Sequence, residues 1–159
     1  MEDWPEPVER VAAVLRERGI DARLEEFHEG TPTAAAAAAA AGCDVAQIVK
    51  SLVFICDGVA VLALVPGDRR ADARKIAAAA HAADARVARA EEVVAATGFE
   101  PGAVAPFPAS GVTRVFLDRE LLRHTIVWAG AGSSKHIVGL SPIDIARVTQ
   151  AEVVDLIEG

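Results

Sequence analysis

Ile48-Val49-Lys50-Ser51-Leu52-Val53-Phe54-Ile55-Cys56, then Asp57-Gly58, then Val59-Ala60-Val61-Leu62-Ala63-Leu64-Val65, is the stretch that decides the fold. Both runs are rich in β-branched residues and apolar at consecutive positions, the pattern of strands covered on both faces. Asp57-Gly58 is the dipeptide favoured by two-residue hairpin turns, whose central residues both need positive φ. Pro66-Gly67-Asp68 ends the hairpin. One charge interrupts it. Strand alternation puts Lys50 on the face of Ile48, Leu52 and Phe54, where a lysine must either carry its ammonium outward along an apolar stem or project into a polar cavity. In a cavity it is a point charge for a phosphate or a carbonyl oxygen, or a base if desolvated. Lysine is also scarce: of the 16 cations 13 are Arg, leaving Lys50, Lys75 and Lys135.

Upstream of the hairpin, Val8, Val11, Ala12 and Leu15 recur at helical spacing before Gly19. Ile20 to Phe27 alternates like a strand with one wet face. Thr31-Pro32-Thr33 opens an alanine run, Ala34–Ala41, closed by Gly42, which predicts a helix with Thr33 as its cap. Asp44 starts a short turn through Gln47. Downstream, helices are predicted from Asp72 to about Ala80 and near Glu91–Ala96, with a short strand near Ala85–Ala88 between them. Gly98 to Pro108 is too rich in Gly and Pro for regular structure. Strands are predicted near Val112–Leu117, Thr125–Ala129 and His136–Leu140, the last two joined by Gly130-Ala131-Gly132-Ser133-Ser134. Two helical starts close the chain: Ser141-Pro142, and Thr149-Gln150-Ala151-Glu152 as a capping box.

The class is α/β: a single domain over residues 1–159, with an antiparallel or mixed sheet and helices around it. At 159 residues, 52% apolar and 25% charged, the chain can bury one core. No apolar run has the length of a membrane span, and the acidic start Met1-Glu2-Asp3-Trp4-Pro5 is unlike a secretory signal, so a cytoplasmic protein is expected. A formal charge of −7 opposes a long grip on nucleic-acid backbone but leaves room for contact with one nucleic-acid end. Cys43 and Cys56 lack metal-ligand or disulfide-framework spacing, and no metal or cofactor is expected. The glycine-rich loops read as turns or as nests that bring backbone N–H groups close to a ligand. His28, His81, His124 and His136 are dispersed. Ser133 and Ser134 have no evident His/Asp partners in the sequence, which argues against a serine-hydrolase triad.

The ordered set Thr33-(Ala-rich helix)-Gly42, Gln47 to Phe54, Leu64-Val65-Pro66-Gly67-Asp68-Arg69-Arg70, Glu91-Glu92-Val93, Thr97 to Phe107, Ala129-Gly130-Ala131-Gly132 and Leu140-Ser141-Pro142 resembles the YbaK/EbsC, or ProX-like, family of aminoacyl-tRNA editing domains. It covers nearly the whole chain. The resemblance implies a mixed, barrel-like sheet with peripheral helices, and hydrolysis by water of the ester that joins a wrong amino acid to the 3′ end of tRNA. It implies that Lys50 is the principal residue, holding the terminal nucleotide or the carbonyl, and that the Gly102–Pro106 loop, with Gly102, Ala103 and Pro106, supplies backbone groups to the ester. Gly130, Gly132 and Ser133 would wall the pocket; Phe27, Thr33 and Ser51 would line the substrate side. The implied partners are the acceptor end of a mischarged tRNA and a synthetase of the prolyl type. The chain departs from the family pattern at Ala103, at Phe107-Pro108, at Ile137-Val138-Gly139 and at Phe27, where some members carry tyrosine. A non-catalytic module that holds a nucleotide or tRNA end in the same pocket is the alternative.

Overall fold

The computed structural model describes residues 3–159. Strand β2 (Ile48–Cys56) pairs antiparallel with β3 (Val59–Pro66) from Val49↔Pro66 to Cys56↔Val59. Asp57 (φ 50°) and Gly58 (φ 81°) make the tight turn, both with the positive φ that the dipeptide predicts. Backbone N–H groups of Ala83 and Asp84 donate to the Asp57 carboxylate, which holds it below the usual carboxylate range.

The remaining strands are β1 (Ala22–Glu26), β4 (Ala85–Val87), β5 (Arg114–Asp118), β6 (Val127–Gly130), β7 (His136–Leu140) and β8 (Glu152–Val154). The sheet runs β1-β7-β6-β2-β3-β5-β8, with β4 also on β2. It is mixed: β2–β6, β3–β5 and β5–β8 are parallel, the other pairs antiparallel. The helices are α1 (Glu6–Glu17), α2 (Ala34–Ala41), α3 (Ala73–Ala79), α4 (Ala90–Thr97) and α5 (Pro142–Thr149).

Alternation along the strands sorts the core. Val49, Val53, Leu62, Leu64, Val127, Val138 and Leu140 face one side, beneath Val11 of α1, Ile145 of α5 and the loop residues Phe99, Val104 and Phe107. On the other side are two separate clusters. Phe54, Val61, Ala63 and Val65 pack with Ile76 of α3, while Ile48, Trp128 and Ile137 pack with Ala37 and Ala38 of α2. Lys50 lies on β2 between the residues of these two clusters.

Helix α2 forms as its residues dictate. The Thr33 hydroxyl accepts from Ala36 N at 3.0 Å, and Gly42 ends the helix with φ 72°. Thr33→Ala is expected to cost about 1 kcal/mol of stability, read in urea unfolding; an unchanged midpoint would remove the hydroxyl from the cap. At the start of α4, Glu92 accepts from Arg89 N and from both terminal nitrogens of Arg86. The Arg86 bonds, before any other cause, bring its carboxyl down to about 2. A carboxyl depressed in the folded state contributes stability that is present above its unfolded value and lost as pH falls through the folded one. Glu92→Gln is therefore expected to flatten the acid dependence of stability between about pH 4.5 and pH 2. An identical acid-unfolding curve would show that the pair contributes nothing.

The C-terminus corrects one expectation. No helix starts at Thr149: Gln150 turns the chain at φ 55°, and Glu152–Val154 becomes β8, parallel to β5. The Glu152 carboxylate pairs across the ladder with Arg114 rather than capping a helix, and Val153-Val154 suits a strand. Buried Asp118 accepts from Glu120 N at 2.9 Å and Leu156 N at 2.7 Å. It thereby caps a 3-10 turn at Arg119–Arg123, which sequence reading had not identified, and pins the chain end.

Candidate functional site

A strand has two hydrogen-bonding edges. β3 fills one edge of β2, and the other is shared: β6 pairs at Ile48 and Val49, β4 at Phe54 to Cys56. Between them the sheet splits, and a cavity of about 310 Å³ opens where Lys50, Ser51 and Leu52 pass. Lys50 is half-buried and Nζ donates to the Arg69 carbonyl. Desolvation pushes its ammonium below the usual lysine value, Asp68 opposes that shift and Arg70 adds to it. The cavity that Lys50 lines is otherwise largely apolar, with Ile48, Ala37, Trp128 and Ile137 in its wall. The Ser51 hydroxyl is buried with no hydrogen-bond partner among the described residues.

Both glycine loops lie on this side, stitched to each other. Gly132 N donates to Ala103 O at 3.1 Å, and a Cβ on Gly130 would sit 2.8 Å from Val104 O. Gly132, at φ 100°, leaves no room for a side chain: a Cβ would meet Pro7 O at 2.6 Å. Gly102 turns the first loop at φ 84°, and its own Cβ position is open. Thr31, Pro32, Thr33 and Ala34, at the start of α2, complete the rim.

The second loop also brings together residues that the sequence left apart. Ser133 Oγ lies 2.5 Å from His136 Nδ1, and His136 Nε2 lies 3.6 Å from Glu26 Oε2. His136 is only 3% exposed, and its pKa is lowered by desolvation, with Glu26 opposing and Lys135 adding to the shift. The expectation that Ser133 has no histidine partner is thus corrected: a turn of three residues supplies one.

Of the residues singled out from the sequence, Lys50, Ser51, Thr33, Gly102, Gly130 and Ser133 line one cavity. Phe27 is not in its wall and packs with the α2 cluster instead. Ala103 and Gly132 stand behind the wall, holding the loops together. Pro106 lines a different hollow of about 420 Å³ with Arg18, Arg114 and Glu152. That hollow is larger, but Arg114 is already paired with Glu152 and its walls hold no buried unpaired polar group. His136, Trp128 and Thr31 line the first cavity without having been singled out. Gly139 makes room for Trp128, whose ring lies 2.7 Å from where a Cβ would be. The short spacing Ser133-Ser134-Lys135-His136 was the available signal for His136. Cys43 and Cys56 are free thiols pushed up by burial, and no metal-holding cluster of His, Cys, Asp and Glu occurs among the described residues. No helix there is long and apolar enough to cross a membrane.

Residues 28–148 match the aminoacyl-tRNA editing domain family. Over 131 residues the chain is 31% identical to the uncharacterized protein YwhH of Bacillus subtilis (strain 168), covering 82% of this chain and 83% of that one. It is 40% identical over 80 residues to a proline–tRNA ligase of Nitratidesulfovibrio vulgaris (strain DP4), which is 50% of this chain but 14% of the ligase. Among solved structures, a candidate trans-editing enzyme for prolyl tRNA synthetase superposes with TM-score 0.91 at 36% identity, over 99% of this chain and 100% of that one.

Proposed function

The chain belongs to the aminoacyl-tRNA editing domain family, and from that premise we propose that it hydrolyses the ester of mischarged tRNA in trans, with water as nucleophile. The observation that carries this reading is the half-buried Lys50, which lines one cavity together with two glycine loops that are bonded to each other. An aminoacyl ester is already activated. Its cleavage needs positioning, donors for the developing oxyanion and a cation, all of which are worth more in a site that excludes water. Lys50 supplies the cation, to the carbonyl or to the terminal phosphate, and the Gly102 loop offers backbone groups to the ester. A cavity of about 310 Å³ suits a small substrate group rather than a long stretch of tRNA, in keeping with a protein of charge −7 that would touch only the acceptor end. Selection by pocket size is limited to about 1–3 kcal/mol per methylene, which is the reason for a separate editing step. The likeness to a proline–tRNA ligase segment and to a candidate trans-editing enzyme supports a tRNA substrate in the prolyl system.

The test is a panel of tRNAs, each charged with a wrong amino acid, with release of the amino acid followed with and without prolyl-tRNA synthetase. Release from at least one mischarged tRNA, above the spontaneous rate, is expected. Binding of charged tRNA without turnover would replace this reading with a holding module.

A further inference from the structure

We propose that Ser133 and His136, with Glu26 orienting the imidazole, form a proton relay in the cleft, in which Ser133 accepts a proton from the attacking water and passes its own to His136. The proposal rests on the hydrolytic reading above and names its base. Register sets the outer half: in the antiparallel β1–β7 pair, Glu26 stands opposite His136. A carboxylate 3.6 Å from Nε2 favours the tautomer with its proton on Nε2, which leaves Nδ1 as an acceptor. Ser133 Oγ is 2.5 Å from that nitrogen and accepts from Lys135 N at 3.0 Å, so its own proton is directed to Nδ1. The ring is nearly closed off: it is 3% exposed, and Trp4 meets it edge-on with centroids 5.6 Å apart. Ser133 is only half-buried, in the same wall as Lys50. A water in the cleft therefore reaches this base through the hydroxyl. Desolvation keeps the imidazole neutral at neutral pH and free to take a proton; Glu26 and Lys135 are the charged groups that act on it.

The step balances. An O–H bond of water breaks, its proton goes to Ser133 Oγ as the Ser133 proton goes to His136 Nδ1, and the hydroxide oxygen bonds to the ester carbonyl carbon. When the tetrahedral intermediate collapses, the bond to the ribose oxygen breaks. That oxygen takes the proton back from the imidazolium by the same route, releasing a free amino acid and an uncharged tRNA end.

The experiment compares wild type, Ser133→Ala and Ser133→Thr on the mischarged tRNA that the wild type cleaves fastest. Rates are taken across pH 4.5 to 8, melting temperatures are recorded, and the His136 ring is titrated by NMR. Ser133→Ala is expected to lower the rate roughly 10²-fold, the usual contribution of one acid–base group. It is also expected to abolish the fall in rate on the acid side that follows His136 protonation and to change the ring titration. Ser133→Thr, which keeps a hydroxyl, is expected to restore rate and profile. A Ser133→Ala enzyme as fast as wild type, or one slowed with its pH profile intact, would overturn the relay while leaving the hydrolytic reading in place. An acyl adduct on Ser133 in acid-quenched mass spectra would overturn it in favour of a covalent nucleophile. A wild type inactive on the whole panel would remove the hydrolytic reading and the relay together.

Discussion

Lys50→Ala is expected to lower deacylation of mischarged tRNA by roughly 10²–10³-fold, the usual cost of removing one preorganised electrostatic contact from a site of this kind. The fold is expected to tolerate the change. The ammonium is held half-buried against desolvation, with one hydrogen bond to the Arg69 carbonyl, so its removal relieves a cost as well as losing a contact. Residues that serve a site are often placed at some expense to stability. Lys50→Met, which keeps the apolar stem, is expected to be as inactive as Lys50→Ala and no less stable than wild type. Lys50→Arg is expected to rescue poorly, since a planar fork does not replace a compact point charge. Because burial lowers the Lys50 pKa, activity that depends on the cation is expected to fade on the alkaline side below the pH at which an exposed lysine would titrate. Rates of amino-acid release and thermal melts measure all of this. Undiminished hydrolysis by Lys50→Ala would take the lysine out of the reaction.

Gly132→Ala is expected to be severely damaging for a single added methyl group. At φ 100° an L side chain is strained wherever there is space, and here there is none: the new Cβ would lie 2.6 Å from Pro7 O, 2.8 Å from Pro7 C and 3.0 Å from Val8 N. These are backbone atoms at the start of α1, which cannot swing aside as a flexible side chain would. The loop must move, carrying with it the Gly132 N to Ala103 O bond that joins the two walls of the cleft. A cost of about 3 kcal/mol is expected, from backbone strain together with overpacking. In a domain of this size that lowers the melting temperature by about 6–12 °C. Hydrolysis is expected to fall with it even well below the transition. Gly102→Ala provides the contrast: its φ is also positive, at 84°, but nothing lies within 4 Å of the new Cβ. It is expected to lose only about 1–2 kcal/mol. Equal stability of the two variants would show that the contact between α1 and the second loop does not hold the cleft.

The elements that were legible in the sequence have local causes. Asp57-Gly58 specifies its turn through its own φ angles, and Thr33 and Gly42 bound α2 because cap and terminator act within a few residues. β8 was not legible. Thr149 to Glu152 has the letters of a capping box, but the parallel ladder to β5 and the Arg114 pair, 38 residues away in sequence, override that local preference. The same division holds in the cleft. Lys50 stands out in the sequence because a charge in a doubly apolar strand demands an explanation. Phe27 and Pro106 could not be excluded from the cavity without knowing which way the chain packs.

By itself the sequence determined the strands and helices set by neighbouring residues, the lone cation of the central hairpin and the likeness to a family of editing domains. The tertiary structure alone decided that β6 and β4 share one edge of β2 and leave a gap at Lys50, that the two glycine loops meet over that gap, and that Glu26, Ser133 and His136 come together beside it. The physical reason is range. Capping, turn chemistry and strand alternation act over a few residues, whereas a cleft is formed where long-range strand pairing stops, and no short window of sequence records that point.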